Sequence, residues 1–533
     1  MGLTYQRLFF FLALFFQCSN LFAFDMQAIR SAQTEREAIA QLPGQELTLP
    51  FIIAQAALSS DSFQAIMAQT IALEVPKLRA KSLTSTSLFA SGTYQDNRLE
   101  TGSPFSPSKT IGKDLSFGIQ KTFSSGTTLT SQIVHDRLDQ TIDLPDLPGG
   151  SDINSNYNQT RLDVGVEQEF WRNAFGIQIR KQQKIGKLQT QALRKALEVN
   201  LEDWSFEYTQ IFYRAWLAQQ QVLASQSNLR RKQRLLEMTR VRLDRGTAER
   251  PDLLQAQSAV LDARSQLEQN TLQINEIWRG LVIGLNLPSH WVDFDPMLIP
   301  LNPHGIFESA AQACGSQDQP HDPPDMNATS RKHQLEYESA MVAVDIAKDQ
   351  LRPRANFFLN LSTNAVDEQS TWRTIGHLPK VDHNALRFGI NVNIPLERFG
   401  EQAELREALA RKHQSQASFD ESLKGLRAQW INQCDRLHTT QSIVERLTSI
   451  FENQNQRARL EEERFRIGRV SMNTLIQAGD DVTFSELNLR SKESELMLSA
   501  WQILRLNGQT VSLIEEYIQS LTGEQLSLLD FKI

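Results

Sequence analysis

Apolar residues recur along this chain at two periods, and the two alternate in blocks. In "RLDVGVEQEF" (161–170) Leu162, Val164, Val166 and Phe170 fall on one face, and Arg161, Asp163, Glu167 and Glu169 on the other. In "LRFGINVNIP" (386–395) Leu386, Phe388, Ile390, Val392 and Ile394 oppose Arg387, Gly389, Asn391 and Asn393. A period of two with one apolar face predicts half-buried strands. It equally fits strands of a membrane barrel, apolar to lipid and polar to lumen. After each such strand the pattern changes. No proline occurs between Pro148 and Pro251 or after Pro395, and no glycine between Lys187 and Arg245. Between Gly400 and Gly468 the only glycine is Gly425. These stretches are rich in good helix formers and predict rods longer than an ordinary helix. From Ile177 to Gly246 such a rod reaches about 105 Å at about 1.5 Å per residue.

The blocks occur twice. "VRLDRGTAERPDLLQA" (241–256) returns as "ERFRIGRVSMNTLIQA" (463–478), with Arg242 and Arg464, Gly246 and Gly468, Gln255 and Gln477, and Ala256 and Ala478 all 222 residues apart. Each stretch predicts the tip of an α-hairpin. The glycine closes one helix in a left-handed cap. Thr247 and Ser471 accept hydrogen bonds at the next N-terminus, and Pro251 suits a first helical turn. The return arms run from about 248 to 285 and from 471 to 507. Strand blocks repeat at an offset of 224, seen in Gly165 and Gly389 and in Gly176 and Gly400. "SLFASGTY" (87–94) and "NFFLNLST" (356–363) pair at 269, so the first copy holds about 45 extra residues between Asn97 and Thr160. Within that insert, "DLSFGIQKTFSSGTTLTSQIVHD" reads as two strands about a Ser-Ser-Gly turn, and "LPDLPGGSDINSNYNQ" (144–159) as loop.

The expected plan is a segment 1–23, a first repeat 24–300 with an extra hairpin at about 98–159, a linker 301–330, a second repeat 331–508 and a tail 509–533. Residues 1–23 carry Arg7, then an apolar run from Leu8 to Phe16, and end in "LFA" at Ala23; this predicts a secretory signal peptide. Gln17 precedes Cys18 where a lipobox wants a small residue, so lipidation is not expected.

Charge and composition narrow the class. The net charge of −7 is mild and interspersed, which excludes a nucleic-acid footprint. A mean hydropathy of −0.37 is too polar for a bundle of membrane helices. If the exported chain enters a membrane, it does so as a closed barrel. Past the signal only Cys314 and Cys434 remain, which is neither a disulfide framework nor a metal cluster. No nucleophile–base set, P-loop or metal signature is found, so no enzyme, cofactor or metal site is expected.

The chain resembles the TolC family of outer-membrane channels, which serve efflux pumps and type I secretion systems. The resemblance lies in "ELTLPFIIAQAAL" (46–58), "AKDQLRPRANFFLNLS" (347–362), "NVNIPLERFGEQAELREA" (391–408) and the two Arg-x-x-x-Gly tips, in their order and duplication. It implies a mixed, mainly α fold: a duplicated unit of a strand pair plus a long coiled-coil α-hairpin, in a homotrimer. Three copies would share a β-barrel in outer-membrane lipid and a periplasmic α-helical barrel, with linker and tail in an equatorial layer. Four strands per copy would give twelve, and the extra hairpin would raise this to eighteen; an extracellular loop is the favoured fate of the hairpin. The tips would meet a periplasmic adaptor, itself joined to an inner-membrane transporter, through Arg242, Arg245, Gly246, Leu253, Leu254, Arg464, Gly468, Leu475 and Ile476.

Family members place gate aspartates six and nine residues after the second tip glycine. Here those positions are Thr474 and Gln477, a departure from the pattern. Asp480 and Asp481 lie further along, and Asp252 holds the six-residue position of the first repeat; a gate ring and plain solvated acids both stand open. So do an equatorial Cys314–Cys434 disulfide and two unrelated thiols. His321, beside Asp322 and Asp325, reads as loop. The competing class is a solid envelope coiled coil or adhesin without a pore.

Overall fold

A computed structural model of the chain describes residues 46–98, 107–142, 153–293, 297–298, 303–316, 319–368, 373–374, 376 and 383–522. The expected signal peptide and most of the expected loop at 144–159 lie outside them. Three short helices, α1 (Leu49–Ser59), α2 (Asp61–Ala72) and α3 (Val75–Ser82), lead into strands β1 (Thr86–Asn97), β2 (Lys109–Thr122), β3 (Thr127–Ile142) and β4 (Ile153–Glu169). Then come α4 (Ile177–Asp244), α5 (Arg250–Gly284), α6 (Pro303–Cys314) and α7 (Ala328–Gln350). After strands β5 (Arg354–Asp367) and β6 (Asn384–Asn393) the chain ends with α8 (Phe399–Arg466), α9 (Met472–Leu506) and α10 (Thr510–Thr522). The duplication is carried by the helices: α4 and α8 each have 68 residues, α5 and α9 each 35.

The described chain divides into two compact units. One draws on residues up to Thr70, on Leu197–Asn327 and on Gly425 onward; the other on Ile71–Ala196 and Ala328–Lys424. In the first unit α1 is apolar nearly all round, "LPFIIAQAALS", and such a helix is stable only inside a core. Leu49, Ile52 and Ile53 are fully buried, as are Phe212, Tyr213 and Trp501. The Leu, Ile and Phe side chains among these each contribute roughly 1.5–3 kcal/mol by leaving water. Polar groups fix the register of that core. Ser59 donates to the Leu285 carbonyl at 2.6 Å, and Asn286 Nδ2 donates to the Ser59 carbonyl at 2.9 Å, so α1 is tied to the end of α5. Cys314 and Cys434 form a disulfide, with Cα atoms 5.6 Å apart, that joins α6 to α8. Of the two cysteine readings, the paired one is what the structure shows.

The second unit holds a six-stranded antiparallel sheet of order β6-β5-β4-β3-β2-β1. The inserted hairpin is β2–β3, inside the sheet and paired along its whole length; the expectation of an extracellular loop is corrected. Residues 153–159, expected as loop, open β4 as well. The reason is cooperative. "TTLTSQIVHD" alternates poorly by itself, but β3 is hydrogen-bonded on both sides, and the ladders impose the strand that the side chains only weakly encode. The turn before β3 crosses the strand-to-rod turn so closely that a Cβ on Gly176 (φ +74°) would meet the Ser124 carbonyl oxygen at 2.1 Å. Only glycine fits there. Asp349 accepts from the Asn173 backbone N–H at 2.8 Å and from Gln178 Nε2 at 2.7 Å, anchoring the same turn to α7.

Candidate functional site

The sheet has two chemically different faces, and the register shows how they arise. Leu88, Ile119, Ser131, Val164, Leu361 and Leu386 stand side by side across the six strands. So do Leu129, Val166, Leu359 and Phe388. Ser87, Gln120, Thr130, Gly165, Asn360 and Arg387 form the neighbouring row, which faces the other way. On that polar face Arg161 and Gln132 both donate to Asp163, at 2.9 and 3.2 Å, and Ser91 bonds Ser116 at 2.7 Å. The apolar face is open: Leu386, Phe388, Ile390 and Val392 are all more than half exposed. Water-soluble domains rarely leave so wide an apolar surface bare. The strands have 10 to 17 residues, enough for the about 9–11 that a tilted membrane-spanning strand needs. Among the described residues β1 and β6 are each paired on one side only, so the sheet ends there in two unfilled edges. Among the described residues no helix is long and apolar enough to cross a membrane.

The second candidate surface is the pair of hairpin tips in the first unit. Gly246 (φ +73°) and Gly468 (φ +78°) adopt the left-handed conformation expected of them. At each tip two backbone bonds close the rod: Thr247 N to Arg242 O and Gly246 N to Leu243 O, matched by Arg469 N to Arg464 O and Gly468 N to Phe465 O. This is a Schellman cap, and it explains the repeated glycine. The arginine carbonyl accepts the bond that spans five residues, at 2.8 Å in both tips, a role any residue's backbone could fill. Beyond the backbone the two arginines differ. Arg242 lies 4.5 Å over the Phe465 ring and donates to the Phe465 and Thr247 carbonyls, at 3.3 and 3.1 Å, tying one tip to the other. Arg464 is exposed and among the described residues pairs with Glu461 on its own helix, at 3.4 Å.

The structure sorts the remaining expected docking residues. Leu475 is buried in a cluster with Leu235, Ala256, Phe465 and Met472, and Ile476 packs against it. Leu475 is therefore core of the tip rather than its surface, because the apolar spacing that suggested docking is the spacing that packs two hairpins together. Arg245 and Gly246 are exposed, Leu253 is half-buried, and Leu254 is open at 57 %. The N-cap expected at Thr247 lies instead at Glu249, which forms a capping box with Asp252; the Thr247 hydroxyl bonds back to Arg242 O at 3.0 Å. Ser471 caps as expected, accepting from Thr474 N at 3.2 Å.

The expected gate residues are occupied elsewhere. Asp252 accepts from the Glu249 backbone N–H at 3.1 Å, and Thr474 bonds Ser471. Asp480 lies 2.7 Å from the buried Lys232 ammonium, and Asp481 3.0 Å from Arg457. Each acid has its own cation or donor within one chain. Gln477 is exposed. Phe465 and Lys232, which organise this end of the hairpins, escaped the sequence reading. Phe465 stands opposite Leu243 at the 222-residue offset, and that aromatic-for-aliphatic difference was the available signal.

Two matched α-hairpins together with a two-faced, open-edged sheet make a distinctive, mainly helical fold, and solved structures of that fold exist. The chain is similar to the outer membrane protein VceC of Vibrio cholerae, with 13% identity and a TM-score of 0.62 over 86% of this chain and 96% of that one. It is similar to the outer-membrane channel OprN (14% identity, TM-score 0.60, 86% and 90% of the two chains). It is also similar to the MtrE outer membrane channel of Neisseria gonorrhoeae in its open state (11%, 0.58, 86% and 88%). No protein-family model matches the chain, and no curated protein matches it. At such identities the likeness is one of fold: the chain has the outer-membrane channel fold of the TolC family.

Proposed function

We propose that the chain is one protomer of a homotrimeric outer-membrane export duct that docks, through its hairpin tips, to a periplasmic adaptor coupled to an inner-membrane transporter. The observation that carries this reading is the sheet: apolar and exposed on one face, polar and hydrogen-bonded on the other, with both edges unpaired. Lipid on one side and water on the other is the environment such a sheet fits. A neighbouring copy on each edge is what would leave no strand unpaired. Three copies would close eighteen strands. The duct would do no covalent chemistry; its selectivity would come from the groups that line it. Arg245, Leu254 and Arg464 are the exposed tip residues offered to the adaptor. Electron microscopy of the detergent-purified protein tests the reading. A three-fold hollow tube with a wide barrel at one end is expected. A thin solid fibre or a monomer in every detergent would overturn it.

A further inference from the structure

In the first unit, α4, α8 and α9 enclose a cavity of about 320 Å³ lined by Arg230, Arg231, Lys232, Arg234 and Arg459, with Glu462 the one carboxylate on its wall. Two of these cations are neutralised. Lys232 has its ion pair with Asp480 and a bond to the Ile476 carbonyl at 3.3 Å, and Arg234 lies 3.8 Å from Glu462. For Arg230, Arg231 and Arg459 no carboxylate stands within ion-pair distance among the described residues; Arg230 has only the Ser227 hydroxyl, at 3.2 Å. Arg231 is the pivot. One end of its guanidinium is held on Thr483 Oγ1 at 2.7 Å, while its Nε–H is buried with no acceptor. Burial pushes this guanidinium down from its ordinary range, against the opposing pull of Glu486 and Asp480. A buried donor on a cation is costly to leave unmet. The arrangement is a positively charged hollow with the half-buried Arg231 guanidinium in its wall, at the small end of the range for small-molecule pockets, about 300–1,000 Å³.

We propose that this cavity is a binding site for a small phosphate-type polyanion. Phosphate oxygens match several guanidinium forks at once, whereas a single carboxylate engages only one. Arg231 supplies a partly desolvated cation anchored on Thr483, and the exposed Arg230 and Arg459 supply the guanidinium forks that close on the anion. The site lies within one chain and does not depend on the channel reading.

The test is calorimetric titration of the full-length, detergent-purified protein with inorganic pyrophosphate at constant ionic strength, with citrate and sodium chloride as comparison arms. Saturable uptake of one pyrophosphate per chain is expected, tighter than citrate by at least about tenfold. Arg231→Gln and Arg459→Gln are each expected to weaken it about tenfold or more, while Arg427→Gln, elsewhere on α8, leaves it unchanged. Arg459 is exposed, so its replacement leaves the fold intact, as a melting curve would verify. Heat that does not saturate, binding that survives Arg459→Gln, or citrate binding as tightly as pyrophosphate would each overturn the proposal. Oligomeric state, measured on the same sample, reports on the channel reading separately.

Discussion

Arg242 and Arg464 show how one residue type serves two ends. Their carbonyls do the same work in the caps, yet only the Arg242 side chain reaches the other hairpin. Arg242→Ala is expected to loosen the tips by about 1–2 kcal/mol, from a charge-assisted bond and a ring contact partly exposed to water. Hydrogen exchange would read this as faster labelling of 465–476 in Arg242→Ala and near-unchanged labelling in Arg464→Ala. Glu495 offers a pH test. It accepts from Lys492 and Arg436, at 2.7 and 2.6 Å, and those bonds hold its carboxyl below its ordinary value of 4.5. A carboxyl held low in the folded state adds stability above that ordinary value and loses it as pH falls through the folded one. Denaturant melts from pH 6 to 3 should show Glu495→Gln less stable at the upper end by up to about 1 kcal/mol, with the gap closing toward pH 3. A gap that widens as pH falls would contradict the assignment.

At the scale of elements, the rods, the tips and four strands as members of a sheet were legible because each has a strong local cause. Runs free of proline and glycine make rods, the tip glycine makes a cap, and "LRFGINVNIP" alternates cleanly. The hairpin β2–β3 was legible as strands but not as sheet members, since its place is fixed by ladders to β1 and β4 rather than by its own pattern. The candidate site was legible as a place and not as a set of contacts. Leu475 and Leu254 look alike in sequence, and only packing makes one core and the other surface. The apolar face gives the sharpest element-level prediction. Phe388 is 68% exposed on it, while Gln120 lies on the polar face. If that face meets lipid, Phe388→Arg costs about 2–4 kcal/mol near the bilayer midplane. The proposed trimer, read by chemical cross-linking in membranes, should then be lost in Phe388→Arg and kept in Gln120→Arg.

Across the whole molecule the disulfide is the longest-range covalent tie, closing a sequence separation of 120 between α6 and α8. In the chain-entropy account a loop of that length stabilises by about 4–5 kcal/mol. Cys314→Ser with Cys434→Ser is expected to melt lower than the parent, and reductant should lower the parent to the same temperature while leaving the double variant unmoved. The six-stranded sheet has one more consequence for the proposed trimer. Barrel diameter grows roughly in proportion to strand number, so eighteen strands instead of twelve would widen the bore by about half and its cross-section by about twofold. In a planar-bilayer recording, the barrel would then add little series resistance. The current through a single pore would be almost insensitive to substitutions on the polar face of the sheet, such as Gln120→Arg.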